Sequence, residues 1–231
     1  MTTPSSTTTA TARFLLLGDS HAGPLGRAAR AAGLPFLGGP VGAGREFNAD
    51  FFDLRGDDVV FRKEEAERLY RGFLQDLGVP GLDRLTVPLV ATFGLSAHTL
   101  ATTENWRVYR DRTGGLAPGF LTSALFADIV LAMVRGAIAF YRHALGLGLR
   151  VLAVMPPQRV PGMSDQDVFL AAQEVVRAEL DRLGVEIVDL RPRVTDDSGL
   201  QRAAFCEADD TIHGNLAFGR LILADLLARG L

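Results

Sequence analysis

The chain has 231 residues, 48% hydrophobic and 22% charged, enough to build one well-cored α/β domain and ordinary for a soluble globular protein. Its net charge of −3 at pH 7 leaves no field of one sign, which argues against nucleic acid as a partner. Cys206 is the only cysteine, so no internal disulfide forms; it reads as buried filler, with His213 nearby in sequence as the one hint of a thiol nucleophile.

In chain order, residues 1–12 are rich in Thr and Ser, with no basic residue and no apolar run. They read as a disordered tail and not as a signal peptide, leaving 13–231 as a single domain. Residues 14–17 form a short apolar run expected as a buried strand, followed by an alanine-rich helix over 23–32 and a weaker strand at 35–37. A helix is predicted over 63–77, a strand over 87–93, and one long helix over 123–145. The most apolar stretch, 121–141, is interrupted by Asp128 and Arg135 and reads as a buried helix, not a membrane span. A strand at 151–155, a helix over 165–183 capped by Ser164, a strand at 185–190 and a helix over 216–228 complete the chain.

Strands alternating with helices predict a three-layer α/β/α sandwich around a mainly parallel, flavodoxin-like sheet, with ligands at the C-terminal edge of its strands. Two segments exceed what a connection needs. Residues 38–58 carry Phe47, Phe51 and Phe52, and residues 99–122 carry Trp106 and Tyr109. Both are expected on the ligand edge, either as functional loops or as aromatic packing of a small surface unit.

The sharpest local pattern is the apolar run ending in Gly18-Asp19-Ser20-His21. Gly18 suits a tight strand-to-helix turn, and Ser20 then stands at a helix N-terminus, where its own N–H is free to stabilise an oxyanion. A plain helix cap by Asp19 or Ser20 uses the same residues. Near the other end, Asp210-Thr211-Ile212-His213 has the spacing that brings a carboxylate onto one imidazole nitrogen and leaves the other for a nucleophile. Asp-x-x-His also occurs as a surface pair or half a metal site, but no second cluster with ligand spacing supports a metal.

Taken together, Gly18-Asp19-Ser20 and Asp210-Thr211-Ile212-His213 resemble the first and last blocks of the SGNH hydrolases, also called GDSL-type esterases and lipases. Gly199-Leu200, Asn215, Gly219 and Met155-Pro156-Pro157 agree with that resemblance. It implies an SGNH hydrolase fold and a cofactor-free acyl-ester enzyme. Ser20 is then the nucleophile, His213 the base and Asp210 the orienting carboxylate. An oxyanion hole is expected from Ser20, from Gly42 (with Gly44 next in line) and from the third block. That block departs from the family: where an asparagine is expected the chain has Ser96, with His98 and, further on, Asn105 as other donors. Asp19, His21, His98 and Asn215 are the candidates for substrate contact. Arg159 reads as a solvated loop arginine or as a contact to an anionic or carbohydrate substrate.

The resemblance thus implies a serine hydrolase cleaving short-chain or acetyl esters, on a small molecule or a carbohydrate, through an acyl-enzyme. Two alternatives stay open: an O-acyltransferase using the same triad, and a non-catalytic binding module suggested by the missing asparagine. No cofactor, metal, nucleic acid or membrane span is expected, and a cytoplasmic location is the default. The oligomeric state is not legible.

Overall fold

The apolar runs become the inner strands of a parallel sheet in a computed structural model that describes residues 11–231; of the expected tail, residues 1–10 lie outside the described residues. The chain opens with β1 (Leu15–Gly18), α1 (Ala22–Ala31) and β2 (Leu37–Pro40), then β3 (Phe52–Arg55), β4 (Asp58–Phe61) and α2 (Glu64–Leu77). There follow β5 (Leu89–Ala91), the one-turn α3 (Ala97–Leu100), α4 (Ala124–Met133), α5 (Arg135–Gly146) and β6 (Val151–Val154). The chain closes with α6 (Gln166–Leu183), β7 (Glu186–Val188), the short α7 (Arg191–Val194) and α8 (Leu216–Ala228).

Five strands pair in the order β2-β1-β5-β6-β7, all parallel. Alternate side chains point to opposite faces. Leu15, Leu17, Leu89, Ala91, Val151 and Ala153 join a core with α2, α5 and α6, whereas Leu16, Val90, Leu152 and Val154 join a second core with α1 and α8. Burial on both faces is why these strands read as unbroken apolar runs. The strand order reverses between β1 and β5, and the crevice beyond their C-terminal ends is where open α/β sheets bind ligands. Ser20 follows the first of these strands and Ser96 the second.

Several expectations change in detail. The long segment 38–58 is not a free loop: it contains β3, which pairs antiparallel with β4 as a separate hairpin. Its Phe47 and Phe51 rings lie 4.7 and 5.3 Å from that of Phe93, which meets Phe140 of α5 at 4.9 Å. Phe47 and Phe51 therefore extend the core. In segment 99–122 Trp106 is fully buried and its Nε1–H donates to the Leu100 carbonyl at 2.8 Å, while Tyr109 stacks on Phe120. The aromatic side chains of both segments pack into the protein.

The helix expected over 123–145 is two helices, α4 and α5, bent by 75°. The break adjoins Gly136, where a Cβ would collide with the Ala49 carbonyl oxygen, and Arg135 turns to Asp50 at 3.1 Å. The 38–58 segment thus packs directly against the break. No single helix among the described residues is long and apolar enough to cross a membrane; α4 and α5 meet that criterion only as this bent pair. The cap of α6 is Asp165, whose carboxylate accepts from Val168 N–H at 2.9 Å, and not Ser164, whose hydroxyl donates to the His98 carbonyl.

Helices α1 and α8 cross in direct contact at Gly219, where a Cβ would run into the Pro24 carbonyl oxygen. Gly219→Ala is expected to destabilise the protein by about 1–3 kcal/mol through overpacking. Thermal unfolding should register this as roughly 2–4 °C per kcal/mol for a chain of this size. An unchanged melting temperature would contradict the contact.

Candidate active site

Strand β1 delivers the chain to the crevice through Gly18. Its φ is not positive, so the reason for glycine is not the turn but space: a Cβ there would overlap the Thr92 hydroxyl. That hydroxyl accepts the Asp19 N–H at 3.1 Å and donates to Asp19 Oδ1 at 2.9 Å. The same oxygen accepts the His21 N–H at 2.9 Å, and the Ser96 hydroxyl donates to Asp19 Oδ2. Asp19 is thus a fully buried knot tying β1 to the end of β5.

Ser20 emerges from this knot at the start of α1. Its Oγ lies 2.7 Å from His213 Nε2, and His213 Nδ1 lies 2.6 Å from Asp210 Oδ2. An ionised carboxylate only accepts, so Nδ1 carries the ring proton and Nε2 is left as acceptor for the serine hydroxyl. Asp210 Oδ1 accepts the N–H groups of Ile212 at 2.6 Å and His213 at 2.7 Å. Burial raises the Asp210 pKa, but the His213 side chain and these two N–H groups outweigh it and hold the carboxyl well below the usual carboxylate range.

A cleft of about 380 Å³ opens over the three side chains, lined also by Gly23, Pro24, Arg27, Pro40 and Glu207. Gly23, Pro24 and Arg27 follow Ser20 by three, four and seven residues, the spacing of one helix face, which is the signal in the sequence that marks them. Arg27 pairs with Glu207 at 2.6 Å across the cleft, both largely solvated. Among the described residues no group of three or more His, Cys, Asp or Glu converges at metal-binding spacing.

No protein-family model matches the sequence, and no curated protein matches it. Among solved structures it is similar to a GDSL-like lipase from Bacteroides thetaiotaomicron VPI-5482, with 13% identity over 94% of this chain and 86% of the other and a TM-score of 0.49. A lipase/acylhydrolase from Enterococcus faecalis has 14% identity over 94% of each chain, TM-score 0.44. An acetyl xylan esterase has 12% identity over 94% of this chain and all of the other, TM-score 0.42. The chain is similar to GDSL-type lipases and acylhydrolases.

The remaining expected site residues fall into place differently. Ser96 is not a free donor, because its single hydroxyl proton goes to Asp19. Asn105 is likewise engaged, with Nδ2 on the carbonyls of Thr99 and Leu100. Gly42 faces Glu46 and Phe47, whereas Gly44 lies against the Asp19 and Ser96 side chains. Among the described residues the N–H groups of Ser20, Gly42 and Gly44 form no backbone hydrogen bond. The expected substrate contacts are corrected as a set. Asp19, His21 and His98 are buried, and Asn215 caps α8, its Oδ1 accepting from Phe218 and its Nδ2 donating to Ala204 and Cys206.

His21 packs between two other imidazoles, its ring 5.1 Å from that of His213 and 5.7 Å from that of His98. Burial lowers the His21 pKa against the opposing pull of Asp19. Burial, with His21 beside it, pushes His98 down to about 4. Both rings are therefore neutral in the folded chain at neutral pH, while the unfolded chain protonates them below the ordinary value of 6.5. The stability tied to the neutral His98 ring is full above pH 6.5 and is lost as pH falls toward 4, and His21 acts in the same direction. For His98 alone the loss by pH 5 is on the order of 2 kcal/mol. Urea unfolding at pH 7.5 and pH 5 should show a smaller acid loss in His98→Asn than in the native chain. An identical loss in both would contradict the buried neutral ring.

Proposed function

We propose that the chain, acting through residues 13–231 as one domain, is a serine ester hydrolase of the SGNH type. The observation that carries this reading is the unbroken relay from Ser20 through His213 to Asp210, at 2.7 and 2.6 Å, built from chain ends that meet at one edge of the sheet. A serine, an imidazole and a carboxylate in this order form the arrangement that makes a hydroxyl nucleophilic at neutral pH. The same relay favours an enzyme over a non-catalytic binding module.

In the reaction that follows, Ser20 Oγ attacks the acyl carbonyl while His213 Nε2 accepts its proton, and Asp210 stabilises the imidazolium. The oxyanion of the tetrahedral intermediate accepts from the N–H of Ser20 and from that of a glycine in the loop after β2, Gly42 or Gly44, both N–H groups being free of backbone partners among the described residues. The helix N-terminus adds its partial positive charge. The alcohol leaves with the proton from His213, giving an acyl-Ser20 ester. Water, deprotonated by His213, then attacks that ester; the bond to Ser20 Oγ breaks as Oγ takes the proton back from His213, and the acid departs. A side-chain donor from the third block is missing, since Ser96 is committed to Asp19, and a hole one donor short is slower by about a hundredfold or more.

The cleft is lined by Gly23, Pro24 and Pro40, with Arg27 and Glu207 paired beside them. Small residues without a long apolar groove suit acetyl and other short acyl groups, and a solvated pair of opposite charges suits a hydroxylated alcohol such as a sugar. The test is hydrolysis of p-nitrophenyl esters of increasing acyl length by the full chain, repeated with a sugar alcohol present. Rates falling with acyl length, and free acid as the main product, are expected. Predominant transfer to the sugar would make the protein an acyltransferase, and no turnover of any ester by folded protein would overturn the reading.

A further inference from the structure

Arg159 lies just beyond the Met155-Pro156-Pro157 end of β6. Its side chain is only 17% exposed, so it is neither the solvated loop arginine nor the free substrate contact that the sequence suggests. Nη1 donates to the carbonyls of Glu207 at 3.1 Å and His213 at 2.8 Å, and Nη2 donates to the carbonyl of Asp210. Three carbonyls of one irregular turn thus converge on one guanidinium. They bracket the segment that carries both the orienting carboxylate and the base.

The backbone of that turn is tied by one bridge, Cys206 to Gly214, whose two hydrogen bonds run from the Glu207 N–H to the His213 carbonyl at 3.1 Å and from the Asn215 N–H to the Phe205 carbonyl. Side chains hold the rest: Asp210 Oδ1 on the N–H groups of Ile212 and His213, and Asn215 Nδ2 on the Cys206 carbonyl. No helix or sheet fixes Asp210, Thr211 and Ile212. A planar guanidinium with donors in a rigid fork fixes the relative positions of the oxygens it binds, which a flexible ammonium does less well. It also brings a positive charge to the relay, with Nη1 4.0 Å from Asp210 Oδ1.

We propose that Arg159 is a positioning residue that clamps the 207–213 turn so that Asp210 and His213 stand in line with Ser20. The proposal rests on the ester-hydrolase reading. Arg159 touches neither substrate nor reacting atoms; it acts through the turn. Displacement of a catalytic group by about 1 Å lowers turnover on the order of a hundredfold, and that is the scale expected when the clamp is removed.

The test compares the native chain with Arg159→Ala and Arg159→Lys on p-nitrophenyl acetate. Alongside it, proton NMR follows the downfield signal of the His213 Nδ1–H held by Asp210, which needs no turnover. In Arg159→Ala, kcat should fall about a hundredfold with KM unchanged, and the downfield signal should broaden or vanish. Guanidinium ion added to that variant should restore part of kcat, and Arg159→Lys should lie between the two. Native kcat and an intact signal in Arg159→Ala would overturn the clamp. So would a loss of kcat that only tracks loss of folded protein and that neither guanidinium nor lysine relieves. A native chain without turnover, its downfield signal nevertheless abolished by Arg159→Ala, would remove the hydrolase reading and leave the clamp as a purely structural one.

Discussion

Replacing Ser20 by alanine is expected to lower kcat/KM toward a short-chain aryl ester on the order of 10⁴- to 10⁶-fold, with the fold intact. Ser20 is partly exposed at the head of α1 and its Oγ bonds only to His213 Nε2 among the described residues. Removing the oxygen therefore deletes the nucleophile without opening a cavity or stranding a buried donor. The loss is large because nucleophile, base and carboxylate work as a unit, and removing one member forfeits most of what all three supply. What survives is the fraction due to binding and the oxyanion donors. Steady-state kinetics with matched circular dichroism spectra checks this. A Ser20→Ala protein with near-native rates would show that the chemistry runs elsewhere.

Asp19→Ala should fail in a different way. The carboxylate is fully buried and accepts three hydrogen bonds, from the His21 N–H and the hydroxyls of Thr92 and Ser96. Without it those three donors lie in the core with no acceptor, each at a cost of about 1–3 kcal/mol. A combined loss of about 3–9 kcal/mol is a large part of the stability of an ordinary domain. The melting temperature should drop by roughly 6 °C or more. Asp19→Asn should be milder, because its amide oxygen at the Oδ1 position still accepts from the His21 N–H and Thr92, and the Ser96 hydroxyl can turn to accept from the NH2 at the Oδ2 position. If Asp19 instead contacted substrate, as its place beside Ser20 in sequence suggests, the alanine variant would show a raised KM at an unchanged melting temperature. Thermal unfolding and kinetics on the same preparation separate the two.

The contrast between these neighbours marks where the sequence is legible. Strands buried on both faces announce themselves as apolar runs, so the central sheet and its crevice could be anticipated from residues such as Leu15–Gly18 and Val151–Val154. Ser20, Asp210 and His213 were marked by local spacing and by chain order, and the structure brings their side chains together. Features set by distant neighbours were not legible. The bend before Gly136 depends on the backbone of Ala49. The β3–β4 hairpin is short and its first strand largely exposed, so no apolar run announces it; its turn is made at Gly56, whose φ is positive. The roles of Asp19 and Ser96 depend on each other across two strand ends, and neither is visible in its own segment. The same holds for Arg159, whose acceptors lie some fifty residues away.

The central claim, that Ser20 is a nucleophile activated by His213, is tested most directly by a fluorophosphonate probe read by peptide mass spectrometry. The account predicts a covalent adduct on Ser20 in the native chain and its near-complete loss in His213→Ala at equal folded concentration. An adduct on another residue, or none on folded native protein, would contradict it.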